Sequence, residues 1–137
     1  MQNTAHNTIT YVMFFLTLLA LTTMTACGED DAVSLGVGAS CVEDSECGEE
    51  TQRCLTQFKG GYCGVESCQA DAECPDGSRC VTHDDGANYC FLICADKSQC
   101  NTDRNAEEEA NCSSSVTFVE EGENDKACVP PTGSGSD

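Results

Sequence analysis

The sequence predicts a small disulfide-rich fold: three tandem four-cysteine repeats, each a turn plus a short β-hairpin, with little regular secondary structure. Three observations predict it. Thirteen cysteines sit in 137 residues, and the last twelve fall into three sets of four with related spacing. Large apolar residues are scarce, with no Trp anywhere. After residue 26 the aromatic residues are only Phe58, Tyr62, Tyr89, Phe91 and Phe118. Such a chain has little apolar surface with which to offset its ordering entropy. A disulfide closing a loop of about 15 residues contributes roughly 3 kcal/mol in the chain-entropy model, so cysteine staples are expected to replace the core.

Repeat one (41–67) runs Cys41-x5-Cys47-x6-Cys54-x8-Cys63. Repeat two (68–93) runs Cys68-x5-Cys74-x5-Cys80-x9-Cys90, and repeat three (94–129) runs Cys94-x5-Cys100-x11-Cys112-x15-Cys128. The first two agree beyond cysteine. Asp44 aligns with Asp71, Arg53-Cys-Leu-Thr56 with Arg79-Cys-Val-Thr82, and Gly61-Tyr62-Cys63 with Asn88-Tyr89-Cys90. Self-similarity in register marks a repeat architecture. The third copy keeps the first spacing but puts Asp96 one position early, with Lys97 where Asp would fall. Its later loops are long and acidic, around Glu107–Glu109 and Glu120–Asp125. It is either a divergent copy or a capping repeat.

From third to fourth cysteine each repeat reads as a hairpin. Gly60-Gly61 and Asp85-Gly86 stand where a two-residue turn needs positive φ. In repeat three, Val116–Val119 is expected to pair with Lys126–Val129. The x5 segments look like a turn or one helical turn, with Asp44 and Asp71 placed to accept backbone N–H bonds. Four cysteines allow three connectivities, and sequence does not choose among them. We favour first-to-third and second-to-fourth, which would tie the x5 turn to both hairpin strands. With only Val65–Ser67 and Leu92–Ile93 between hairpin and next repeat, neighbours should stack as a short rod.

Over roughly residues 41–129, these C-x2-D-x2-C…C…C modules resemble short Cys-rich repeats of lipoproteins from myxobacteria and their relatives. They are more distantly similar to the cysteine-rich region of Dickkopf proteins and to whey-acidic-protein modules. The adjacent Cys-Cys pair of the latter is missing, so the resemblance implies no inhibitor activity.

The N-terminus has a different character. Residues 1–26 hold no Asp, Glu, Lys or Arg, and Tyr11–Leu21 is nearly all apolar. As a helix this stretch rises roughly 16 Å, about half a bilayer's hydrocarbon core. It matches the hydrophobic region of a signal peptide (1–26), and it is excluded from fold reasoning. The segment Met24-Thr25-Ala26-Cys27 resembles the bacterial lipobox. That resemblance implies cleavage before Cys27, lipidation of its sulfur, and acylation of the new amine. Gly28 at the next position implies the outer membrane or cell surface. The alternative is a secreted protein with an unpaired Cys27. Residues 27–40 then read as the lipid anchor and a flexible linker, with Gly28–Ser40 spanning roughly 20 Å on average. The tail, 130–137, reads as disordered.

Net charge is −18, which would repel nucleic-acid phosphates and keeps a small exported module soluble. A sharper reading has the two acidic loops meeting a basic partner. Zinc fits poorly, because the nearest cysteine spacings, Cys90-x3-Cys94 and Cys63-x4-Cys68, are not the C-x2-C knuckles of metal sites. No cofactor is expected. The stretch Asp84–Asn88 lacks the alternating ligands and distal Glu of a calcium loop, although the acidic excess leaves weak calcium binding open. His83 reads as an exposed turn residue without a nucleophile to serve. The expected function is that of a non-enzymatic, membrane-anchored extracytoplasmic lipoprotein. Its repeats would present a surface to a protein or glycan partner. The alternative is a small protease-inhibitor or toxin-like effector.

Overall fold

The computed structural model describes residues 36–122 and 125–133. The leader, Cys27 and most of the linker lie outside them, as do Glu123, Asn124 and the last four residues. Seven short strands form: β1 (Arg53–Cys54), β2 (Cys63–Gly64), β3 (Ser78–Thr82), β4 (Asn88–Cys94), β5 (Asn111–Ser113), β6 (Thr117–Phe118) and β7 (Lys126–Val129). Each x5 segment makes one 3₁₀ turn, at Asp44–Glu46, Asp71–Glu73 and Gln99–Asn101.

In every repeat the third and fourth cysteines stand directly opposite each other across an antiparallel pair: Cys54 with Cys63, Cys80 with Cys90, Cys112 with Cys128. Six disulfides join first to third and second to fourth. They are Cys41–Cys54, Cys47–Cys63, Cys68–Cys80, Cys74–Cys90, Cys94–Cys112 and Cys100–Cys128. This is the arrangement we favoured among the three.

Two carboxyl positions seat the turn on its hairpin. Asp44 Oδ1 accepts the N–H of Cys54 at 2.8 Å, and Asp71 Oδ1 accepts that of Cys80 at 3.0 Å. The other oxygen of each meets the preceding arginine, Arg53 at 3.6 Å and Arg79 at 2.7 Å. That geometry accounts for the shared Asp-x2-Cys…Arg-Cys pattern. Glu46, Glu73 and Gln99, each one residue before the second cysteine, reach back to the N–H of Val42, Gln69 and Ala95. In the third copy the early Asp96 caps its own turn through the N–H of Ser98. Asn101 does the bridging there, accepting the N–H of Ala110 at 2.7 Å and donating to its carbonyl at 3.0 Å.

The hairpin turns differ in detail from the expected two-residue form. In repeat two the Gly86 N–H donates to His83 O, and the His83 N–H to Ala87 O. The loop is therefore Asp84-Asp85-Gly86, with Gly86 at φ +84 taking the left-handed position that closes such three-residue loops. In repeat one the Gly61 N–H donates to Phe58 O, which puts Gly60 (φ +75) inside the turn and Gly61 (φ +68) just after it. A Cβ on Gly61 would stand 2.1 Å from Cys41 O and 2.8 Å from its sulfur. The second glycine makes room for the first bridge.

Repeat three departs further. Val116–Val119 does not pair with Lys126–Val129. β7 pairs with β5 instead, where opposition of Cys112 and Cys128 sets the register, and with β4 on its other side. The displaced segment supplies β6, which adds to the far edge of β3 through Val81 with Phe118. The result is a five-stranded sheet in the order β5-β7-β4-β3-β6. Only Ser114, Ser115 and Val116 link its two edge strands, so the sheet curls.

Staples do not replace the core; they frame one. Phe58 and Tyr62 of repeat one pack on Val81, Tyr89, Phe91 and Leu92 of repeat two and on Ala110 and Ala127 of repeat three, all buried. Ring centroids lie 5.2 Å apart for Phe58 and Tyr89 and 5.3 Å apart for Tyr62 and Phe91. Buried aromatic pairs of this kind contribute about 0.5–1.5 kcal/mol beyond their area.

Nor is the arrangement a rod, in which a repeat touches only its neighbours. Repeat three also contacts repeat one. The Ser40 N–H donates to Asp103 O, and Arg104 donates to the carbonyls of Gly38, Lys59 and Gly61. Gly36–Ser40, expected as linker, is built in: Val37 is 2% exposed, and Ala39 O accepts the Cys63 N–H. The start of the expected tail also packs back, with the Gly133 N–H donating to Gln57 O and Thr132 bridging Phe58.

Two glycine substitutions separate crowding from backbone strain. Gly86→Ala meets nothing within 4 Å and is expected to cost about 1–2 kcal/mol for its positive φ alone. Gly61→Ala adds the clash with Cys41 and is expected to cost at least about 3 kcal/mol, or to prevent oxidative folding. Denaturant unfolding of both variants measures the difference.

Candidate functional site

Among the described residues, one of the concave features lies within the curl of the sheet; a larger and more open one, of about 440 Å³, lies between the first turn and the Asn105–Glu108 loop. Val81, Thr82 and His83 from β3 and its turn, Phe91 from β4 and Val129 from β7 meet the Ser113–Thr117 connection around a cavity of about 230 Å³. Its apolar wall is the half-buried Val116 and Val129, backed by Val81 and Phe91, which are 1% and 0% exposed. Its rim is polar: Thr82, Ser113, Ser115 and Thr117 offer hydroxyls, and Asp84 adds a carboxylate. Neither Lys nor Arg lines it. Ser113 Oγ accepts the N–H of Ser115 and Thr82 Oγ1 donates to Asn88 Oδ1, which fixes two rim groups.

His83, expected as an exposed turn residue, is buried beside this cavity. Its ring packs against Phe58 at 5.2 Å, Tyr89 at 5.9 Å and Phe91 at 6.0 Å. Its Nδ1 accepts the Asp85 N–H at 3.5 Å. The His83 ring turns inward onto the aromatic cluster, while the loop residues Asp84, Asp85 and Gly86 stay exposed.

Asp85, in the stretch Asp84–Asn88 that lacks a calcium loop's ligand pattern, serves the turn. Its Oδ1 accepts the N–H of Ala87, and its Oδ2 accepts the Tyr89 hydroxyl at 2.9 Å. Partial burial works against the charged carboxylate. The Ala87 and Tyr89 hydrogen bonds and nearby His83 outweigh it, and the Asp85 carboxyl is held below its ordinary value. Tyr89 is pushed the other way, by desolvation first and by the neighbouring Asp85 charge. Among the described residues, the groups in which three metal-ligating atoms converge are cysteine sets such as Cys41, Cys47 and Cys63. Their sulfurs are already in bridges, and a bridged sulfur is not a thiolate ligand.

The two acidic loops look inward more than sequence suggested. Asp125 pairs with Arg79 at 2.8 Å, Glu120 Oε2 accepts the Asp71 N–H, Glu108 accepts from Ser40, and Glu109 pairs with Lys97. Arg79 also donates to Glu120 O and lies 4.6 Å from the centre of the Phe118 ring. Its hydrogen bonds to Asp71 and Asp125 hold its charge more firmly than in a free side chain. Glu107 and Glu121 remain exposed.

Arg104 was not singled out from sequence. Its guanidinium donates to four backbone carbonyls, those of Gly38, Lys59, Gly61 and Glu108. Burial pulls its pKa down, although a guanidinium stays protonated throughout. Nothing in its neighbourhood of Asn and Glu residues gives a sequence signal for this role. The reach-back of Glu46 and Glu73 has only one mark in the sequence, the Glu that each places one residue before the second cysteine.

Two outcomes follow. Replacing Arg104 by Lys keeps the charge and loses the fork, so stability should fall by about 1–3 kcal/mol in chemical denaturation. The depressed Asp85 carboxyl contributes stability that is complete above the ordinary value near 3.9 and lost as pH falls through its folded value. Asp85→Asn should therefore be less stable at neutral pH and show a smaller loss on acidification, measured by unfolding from about pH 6 to pH 2. No protein-family model, curated protein or solved structure matches this chain.

Proposed function

We propose that the chain is a non-enzymatic, extracytoplasmic lipoprotein, held by lipid on Cys27, whose stapled repeats act as a binding or structural surface module. Parity carries the reading. The twelve cysteines from Cys41 to Cys128 are matched to one another in six bridges. Cys27 is left over, directly behind an apolar leader and the lipobox-like Met24-Thr25-Ala26. A thioether to lipid gives that sulfur a use.

Extensive disulfide bonding is consistent with an extracytoplasmic location, because such bonds persist in oxidising compartments. No helix of the described residues is long and apolar enough to cross a membrane, and attachment in this reading comes from the acyl chains. One chain binds only marginally, whereas two or three anchor stably. Gly28 supports an outer-membrane or cell-surface destination by the family's rule. The partner is a protein or a glycan. Because Glu108, Glu109, Glu120 and Asp125 are engaged within the fold, a basic partner has fewer free carboxylates to meet than composition implies.

Labelled palmitate should enter the wild-type chain in its native host and not the Cys27→Ser variant. The lipidated protein should have no reactive thiol when denatured without reductant. An unacylated, water-soluble wild-type product would overturn the anchor, and two or more reactive thiols would overturn the six-bond assignment.

A further inference from the structure

We propose that the cavity inside the curled sheet is a binding site for a single uncharged sugar ring. The proposal extends the reading of the repeats as a binding module and is independent of the lipid anchor. Size is the first argument. Sites for drug-sized ligands occupy about 300–1,000 Å³, and this cavity holds about 230 Å³. One six-membered ring fits, and a linked pair of rings would have to project through the open mouth.

The lining supplies the second argument. A pyranose has a C–H face and an edge of hydroxyls. Val116 and Val129, both half-buried, offer apolar surface to the first, with the covered Val81 and Phe91 behind them. For the second, Ser115 and Thr117 can donate or accept, and the Asp84 carboxylate can accept from two neighbouring hydroxyls at once. Hydrogen bonds to a charged acceptor are the stronger kind.

Charge is the third. The wall contains a carboxylate and neither Lys nor Arg, within a chain of net charge −18. An anionic sugar would meet repulsion from Asp84, with no Lys or Arg in the wall to offset it. Asp84 is exposed and sits in the turn next to Asp85, so it can reorient toward a ligand without disturbing the core.

The test is an amide-resonance NMR titration of the whole chain carrying Cys27→Ser, which keeps it free of lipid. The probes are methyl α-glucoside, methyl α-galactoside and N-acetylglucosamine, with glucuronate and ethanolamine as charged controls. At least one neutral sugar should shift the resonances of Val81–Asp84 and Ser113–Thr117 with millimolar affinity. Asp84→Ala should weaken that sugar about tenfold or more while leaving the rest of the spectrum in place. Glucuronate should bind at least about tenfold more weakly than the neutral sugar. The proposal is overturned if no neutral sugar moves those resonances up to roughly 100 mM. It is equally overturned if glucuronate or ethanolamine binds as well as the best neutral sugar. Failure here leaves the palmitate result untouched, so the two readings fail separately.

Discussion

Residues directly opposite each other on an antiparallel pair project from the same face. When both are cysteines, two bridges leave that face side by side, and a single short turn carrying two more cysteines can satisfy both. Each repeat is built this way. The constraint explains why the x5 spacing is kept in all three copies while the distance between third and fourth cysteine grows from eight to fifteen residues. The turn must match the bridges. The loop beyond the opposed pair is free to lengthen, and in repeat three it lengthens enough to supply β6 to a neighbouring repeat.

Bridges fix each repeat locally, and a different set of forces joins them. Phe58, Tyr62, Tyr89 and Phe91 come from two repeats and close on one another. Arg104 from the third gathers carbonyls of the first. Carboxylates that would otherwise repel are turned to backbone N–H groups and to arginines, which lets a chain of net charge −18 fold compactly. Tyr62 shows how complete the closure is. It is fully buried, burial pushes its phenol far above the ordinary value, and its oxygen accepts the Leu92 N–H from the next repeat.

Much of this was legible in the sequence. Cysteine spacing gave the three units, and the aligned Asp44 and Asp71 pointed to the backbone N–H bonds they accept. What was not legible was relative placement. Five aromatics look too few for a core when counted along the chain, yet four of them converge once the repeats fold onto each other. His83 carries no local mark that distinguishes an exposed turn from one aimed at Phe58 and Phe91. Val116–Val119 has the alternation of a strand, but alternation does not name a partner, and the cysteine register had already assigned β7 elsewhere. The cavity is invisible for the same reason, because its walls come from five strands and the connections between them.

The account rests on the opposed cysteines, and mapping the bridges tests it most directly. Digestion of the oxidised protein at acidic pH without reductant, followed by mass spectrometry of the linked peptides, should recover first-to-third and second-to-fourth bonds within each repeat. Cys112 should be linked to Cys94 and Cys128 to Cys100 even across the long acidic loop. Linked peptides joining cysteines of different repeats, or joining the opposed third and fourth cysteines to each other, would contradict it.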